Sequence, residues 1–386
     1  MIFTLEALQA HKGDALLLHY GEADDPKLVV IDGGPNKTWE GMRERLDALK
    51  DDGRPLTDEG KLRIRLAMVS HIDDDHIHGI LEMTDALLGQ RKETPPDYDI
   101  TWFWHNSFDD VVGKAKTAST ASVASVQGVA EDKLPDALPV GHQAKLVLQS
   151  VNQGRRLRDA IVKLGLEGNA PFDGLVAADH PENPVDMGAG LKFTIVAPAK
   201  SEVDGLEKEW DEQLAKKKKG GASVQNMEAI AAAYLDESAY NLSSIVVMAE
   251  ADGKRMLLTG DARGDHVLKG LEAKGYLEPG KTMHVDVLKL PHHGSIRNVD
   301  RDFFERILAD HYVISADGEH DNPDLDTLKL LTEIRGNDAY SIHLTNRVSW
   351  AVEFLDADQK KRRYRVFYRD EDQHGLKVDL LDPFAG

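Results

Sequence analysis

The sequence predicts a layered α/β or α+β domain, on three grounds. Apolar runs of strand length alternate with segments of helical periodicity in the first and last thirds of the chain. The strand-like runs stop abruptly at breakers, as at Asp32-Gly33-Gly34-Pro35, Thr259-Gly260-Asp261 and Leu290-Pro291. With 386 residues, 41% of them hydrophobic, the chain is also long enough to bury a large core.

The first third opens with strand-like stretches over 1–9 and 15–20, joined by a turn at Gly13-Asp14, which reads as an antiparallel pair. Lys27 to Ile31 is a continuous apolar run, the pattern of a strand buried on both faces. An amphipathic helix is expected over 38–50, a strand over 62–69 and a second helix over 77–88. Residues 90–186 are less regular. They contain Pro95-Pro96, a Ser/Thr/Ala-rich stretch at 117–126 and helical periodicity near 142–164, and they read as an insertion or lobe. Strand signals return over 191–196, followed by an exposed charged helix over 201–219 that ends in Lys216 to Lys219. In the last third, strands over 244–249 and 255–258 flank the hairpin signal Asp252-Gly253. A helix near 263–274, a strand over 285–290, a helix over 300–309, a strand over 312–315 and a helix near 325–334 follow. The tail reads as a hairpin, 350–355 with 363–368.

Composition removes whole classes of function. There is no cysteine, so disulfides, thiolate metal sites and cysteine nucleophiles are excluded. No apolar run approaches the roughly 18 residues of a membrane span, and the N-terminus lacks the pattern of a signal peptide. A soluble, cytoplasmic protein is expected. The net charge of −20 disfavours broad charge-driven binding to nucleic acid. The four lysines at 216–219 read as a solvated helix end, since no aromatic is interleaved with them.

Histidine placement points to chemistry. Five of the 16 histidines fall at 71–78 and 292–293, each cluster just after an expected strand. In His71-x-Asp73-x-Asp75-His76, residues 71 and 73 share one side of an extended chain, while Asp75 and His76 lie where it turns into a helix. One turn therefore offers four ligands for two neighbouring cations, and imidazole with carboxylate suits zinc, manganese or iron. A helix cap would need only one of the three aspartates. Asp261 at a strand end could bridge two metals, and His292-His293 offers a further ligand. Asp32, also at a strand end, could hydrogen-bond a ligating histidine from behind.

Taken in order, Lys12-Gly13-Asp14-Ala15, Val30-Ile31-Asp32-Gly33-Gly34, His71-Ile-Asp73-Asp-Asp75-His76, Asn241-Leu-Ser-Ser, Leu257-Leu-Thr-Gly-Asp261 and Leu288-Lys-Leu-Pro-His292-His293-Gly-Ser295 resemble the metallo-β-lactamase fold superfamily. The closer likeness is to its ComEC-type branch, here without the membrane channel. That resemblance implies an α+β fold, an αββα sandwich with insertions, with metals at one edge between two sheets. It implies a hydrolase domain over 1–340, with insertions at 90–186 and 200–236 and a C-terminal β-hairpin extension over 341–386. Carried over by residue, one metal takes His71 and Asp73, the other takes Asp75 and His76, and Asp261 bridges. One of His292 and His293 completes the ligand set of the second metal, with His293 favoured and His292 left to contact the substrate. His78 and Asn241 are further polar candidates, and Asp75, Asp261 and His292 are the expected catalytic set.

The expected activity is metal-dependent hydrolysis with two divalent ions, zinc or manganese, that lower the pKa of a shared water. The expected substrate is a phosphodiester: single-stranded nucleic acid, a nucleotide or a small phosphorylated molecule. Lactam or thioester hydrolysis is the alternative on the same fold. An alternative of another class is a non-catalytic, metal-stabilised scaffold that binds a partner protein through 90–186.

Overall fold

The computed structural model describes residues 1–51, 54, 56–106, 142–203 and 243–382, with 142–151 described by backbone alone. The stretch at 117–126, Lys216 to Lys219, most of the 200–236 insertion and Asn241 lie outside the described residues. The chain is a mixed α/β protein built on two mixed sheets. Among the described residues no helix is long and apolar enough to cross a membrane.

The first sheet starts with β1 (Ile2–Leu8), β2 (Leu16–Glu22) and β3 (Asp25–Ile31), paired antiparallel in sequence order. Helix α1 (Thr38–Asp51) leads to β4 (Leu62–Met68), and α2 (Asp74–Leu87) leads to β5 (Tyr98–Trp104). Both strands are added in parallel, as a helical crossover requires. Helix α3 (His142–Lys163) packs on α2. The second sheet repeats the scheme. Strands β6 (Val185–Gly188), β7 (Leu191–Ala197), β8 (Val246–Ala251) and β9 (Lys254–Leu258) form an antiparallel meander. The β8–β9 turn is the expected Asp252-Gly253, both residues at positive φ (47° and 75°), as a two-residue hairpin favours. Helix α4 (Gly264–Ala273), β10 (Met283–Lys289), α5 (Arg301–Arg306), β11 (Ile307–Ile314), α6 (Leu325–Arg335), β12 (Ser341–Leu344), α7 (Ser349–Asp358) and β13 (Arg365–Tyr368) follow. β9 to β13 are parallel neighbours. The last strand, β14 (Gly375–Asp379), returns to pair with β1.

Three hydrophobic cores order the layers. Phe3, Leu5, Leu18 and Val29 of the first sheet meet Phe193, Val247 and Leu258 of the second. Leu17, Val30 and Ile64 on the other face of the first sheet pack on Trp39 and Leu46 of α1 and on Ile77 and Ile80 of α2. The outer face of the second sheet is covered by Val267, Phe303, Leu328 and Leu355, from α4, α5, α6 and α7. The helices thus shield the outer faces while the sheets face each other.

The tail departs from the sequence reading. Trp350 to Leu355 lies in α7, with Ala351 and Leu355 buried at helical spacing, and Arg365 to Tyr368 pairs in parallel with β12. The expected hairpin is absent; residues 341–379 supply strands to both sheets instead. The helix expected over 300–309 ends at Arg306, because Ile307 onward pairs with β10. Within 90–186, β5 is a strand of the first sheet rather than part of a lobe.

Between the first sheet and its helices lies a buried ionic cluster. Arg45 donates to both oxygens of Glu6 at 2.8 and 3.0 Å. His19 donates from Nε2 to Glu6 at 2.9 Å and accepts at Nδ1 from Arg54. Burial pushes His19 down to about 4, against the pull of Glu6. Burial acts on Glu6 in the opposite sense, but the bonds from His19 and Arg45 prevail and hold it at about 2. Both groups therefore stabilise the fold above their unfolded pKa values and lose that contribution in acid, His19 as pH falls from 6.5 towards 4 and Glu6 from 4.5 towards 2. Between pH 7 and pH 5 the His19 contribution to be lost is about 2 kcal/mol. Urea unfolding at the two pH values is expected to show His19→Gln losing less stability than the parent protein. Equal losses would contradict this assignment.

Candidate metal centre

The strands of the two sheets bring their C-terminal ends to one edge, and the loops leaving β3, β4, β9 and β10 supply Asp32, the 70–76 segment, Asp261 and His292-His293. Close backbone packing fixes these loops to one another. A Cβ on Gly13 would lie 1.8 Å from the Asp75 carbonyl oxygen, and one on Gly79 would lie 2.0 Å from that of Gly33. Asp14 N donates to the Asp75 carbonyl at 3.2 Å and Gly33 N to that of His76 at 2.7 Å. His292 and His293 both have left-handed backbones, with φ of 47° and 56°. Such strain costs on the order of 1–3 kcal/mol per residue and is found where a site demands it.

Asp261 lies at the centre. Its Oδ1 is 3.2 Å from His76 Nε2 and 3.6 Å from His293 Nε2, whereas its Oδ2 is 3.5 Å from His71 Nε2 and 3.6 Å from His292 Nε2. Asp73 lies 3.6 Å from His71 Nε2, and Asp75 3.6 Å from His293 Nε2. Asp73 occupies the N-cap position of α2 but makes no capping hydrogen bond, so helix capping does not account for it.

Each imidazole is turned the same way. His76 Nδ1 donates to Asp32 Oδ2 at 2.9 Å, and His293 Nδ1 to the Ser315 carbonyl at 2.9 Å. Ser70 Oγ gives its proton to Asp32 at 2.7 Å and so accepts from His71 Nδ1 at 3.1 Å. Asn298 donates to the Asp261 carbonyl at 2.9 Å, which leaves its Oδ1 to accept from His292 Nδ1 at 2.9 Å. Four Nε2 atoms therefore point inward.

The donors fit a metal. His71 Nε2 and Asp261 Oδ1 are buried without a hydrogen-bond partner, which is costly unless something else satisfies them. His76 Nε2 and His293 Nε2 lie 3.3 Å apart. A tetrahedral ion held at about 2.0–2.1 Å places its donors roughly 3.3 Å apart. Among the described residues two overlapping groups, Asp14-His76-Asp261-His293 and His71-Asp75-His76, have donor atoms close enough to hold an ion. Electrostatics agrees. Burial lowers His76, but the Asp261 and Asp32 carboxylates prevail and hold it well above its usual value. His293 is likewise lowered by burial and raised on balance to about 9 by Asp261, Asp14 and Asp75. Asp261 is raised by burial, yet the surrounding imidazoles bring it well below the carboxylate range. Such a cluster lacks positive charge.

No protein-family model matches this chain, and no curated protein is detectably similar to it.

The structure brings together His71, Asp73, Asp75, His76, Asp261, His292 and His293, with Asp32 behind His76. It does not bring in His78, whose Nδ1 meets Asp74 at 3.1 Å while Gln153 of α3 holds the same carboxylate at 2.7 Å. Sequence reasoning missed the layer behind His293. Asp14 Oδ1 is 3.5 Å from His293 Nδ1, the side of the ring facing away from the cluster, and its Oδ2 pairs with the fully buried Lys289 at 2.6 Å. Asp14 thus supports His293 rather than competing for the ion. The signal was a lysine inside the apolar strand Val-Leu-Lys-Leu-Pro, which needs a buried carboxylate.

Proposed function

We propose that the protein is a metal-dependent hydrolase of the metallo-β-lactamase fold, acting on phosphodiesters with two divalent ions, zinc or manganese. The carrying observation is the set of four inward Nε2 atoms shared between the two oxygens of Asp261. Charge supports the number: Asp14, Asp32, Asp73, Asp75 and Asp261 with Lys289 leave four negative charges, which two divalent cations neutralise. The order of motifs along the chain supports the family.

In this assignment His71, Asp73 and Asp261 would hold one ion, and Asp75, His76, His293 and Asp261 the other. When bound, such ions supply Lewis acidity and lower the pKa of water. The chain's own part is positioning. Asp32, Ser70, Ser315 and Asn298 fix the four rings before substrate arrives, so little reorganisation is needed at reaction. His292 is the ring open to solvent, 27% exposed against 0–2% for the other three, and is placed to contact a substrate oxygen.

The test compares metal-dependent cleavage of bis-p-nitrophenyl phosphate, short single-stranded oligonucleotides and plasmid duplex at near-physiological salt. Cleavage of the first two above the duplex is expected, because a net charge of −20 releases few counter-ions from a long polyanion. Hydrolysis of a lactam or thioester with none of these substrates cleaved would overturn the substrate class.

A further inference from the structure

Two loops wall the cluster on the side of Asp75 and His293. One runs over 9–14 and lies on the Asp75 carbonyl through Gly13. The other follows β11 and is tied to the His-His-Gly turn, where Asp324 N donates to the Gly294 carbonyl at 3.2 Å. Lys12 of the first loop meets Glu319 of the second at 2.8 Å, so the ion pair spans the two walls. Lys12 stands next to Gly13, which lies against the Asp75 carbonyl, and two residues before Asp14, whose N donates to that carbonyl at 3.2 Å, so it sits on the loop beside the metal segment.

The pair does not hold the loops together. Ser315 Oγ donates to the Gly13 carbonyl at 2.6 Å, Gln9 Nε2 to Asn346 Oδ1 at 3.1 Å, and Asn346 Nδ2 to the Ala316 carbonyl at 2.9 Å. With those bonds in place, a pair whose side chains are 27% and 53% exposed adds little stability. Replacing one carboxylate with another anion is correspondingly cheap.

We propose that Lys12 docks the anionic phosphate group of the substrate, and that Glu319 holds its ammonium beside the cluster until that group displaces it. The assignment rests on the phosphodiester reading above and adds the residue that selects an anionic substrate. Lys12 is a positioning residue for the phosphate, and Glu319 competes with the ligand for it.

The sign of two substitutions tests this. Binding of inorganic phosphate to the metal-loaded protein is measured by calorimetry, after metal content has been confirmed equal in all variants, alongside KM and kcat for bis-p-nitrophenyl phosphate. Lys12→Met is expected to weaken phosphate binding about tenfold, as loss of one charge-assisted contact should, and to raise KM with little change in kcat. Glu319→Gln is expected to tighten phosphate binding several-fold, because the competing carboxylate is gone. A merely structural pair would make both variants move the same way, and that result, or no change in either, overturns the proposal. Opposite shifts in phosphate binding without any phosphodiester cleavage would sustain the role of Lys12 and reject the hydrolase reading. Cleavage with both variants shifted alike would do the reverse.

Discussion

Asp261→Asn is expected to remove metal-dependent activity, by on the order of 1,000-fold or more, while leaving the metal-free chain folded. The size follows from the position. Both carboxylate oxygens face imidazole Nε2 atoms, Oδ1 towards His76 and His293 and Oδ2 towards His71 and His292. An amide of the same shape keeps one weak oxygen donor and turns an NH2 group on lone pairs that need a cation. Several kcal/mol of transition-state stabilisation depend on a paired metal site, at about 1.4 kcal/mol for each tenfold in rate. The fold should survive because the side chain of Asp261 faces the cluster, and the nearby core is built from Leu257, Leu258 and Ala262. Kinetics with added zinc or manganese, paired with urea unfolding in chelator, separate the two effects. Full activity in Asp261→Asn would remove the bridging role.

Lys289→Met is expected to be among the most destabilising single substitutions in the chain, at about 3–5 kcal/mol. Lys289 is fully buried, pairs with Asp14 Oδ2 at 2.6 Å and donates to the Leu290 carbonyl at 3.0 Å. Asp14 is raised by burial and brought well below its usual range by Lys289 and His293, so it stays ionised. Removing the ammonium strands that carboxylate in the interior, and a loss of this size is a large fraction of a typical domain's stability of about 5–15 kcal/mol. The double variant Asp14→Asn/Lys289→Met should recover most of the loss, since neither member is then left charged. Urea midpoints of the parent, the single and the double variant measure this. A double variant no more stable than the single would show that the cost lies in packing rather than charge.

Much of this was legible in the sequence, for physical reasons that differ by region. A buried strand such as Lys27 to Ile31 announces itself by an apolar run that ends at a Gly-rich breaker, and Val285 to Leu290 by apolar residues that stop at Pro291. The seven clustered His and Asp side chains could be read because metal chemistry favours these residue types at strand ends. The tail misled because Trp350 to Leu355 is too short to show whether its apolar residues recur at two or at 3.6. The parallel pairing of β13 with β12 is a long-range contact that local pattern does not encode. β5 was hidden for a related reason: as the edge strand of its sheet, it follows a Pro-rich connection and precedes an irregular segment. The supports behind the rings, Ser315 and Asn298 among them, carry no sequence signature, since a serine carbonyl or an asparagine amide becomes specific only where the fold places it.

The central claim is that the strand-end cluster holds two divalent ions, and metal content tests it most directly. Elemental analysis of the purified chain, followed by chelation and titration with zinc or manganese under thermal denaturation, is expected to give up to two ions per chain and a rise in melting temperature that saturates at that ratio. A chain with no bound metal, unmoved in melting temperature by either ion, would contradict it.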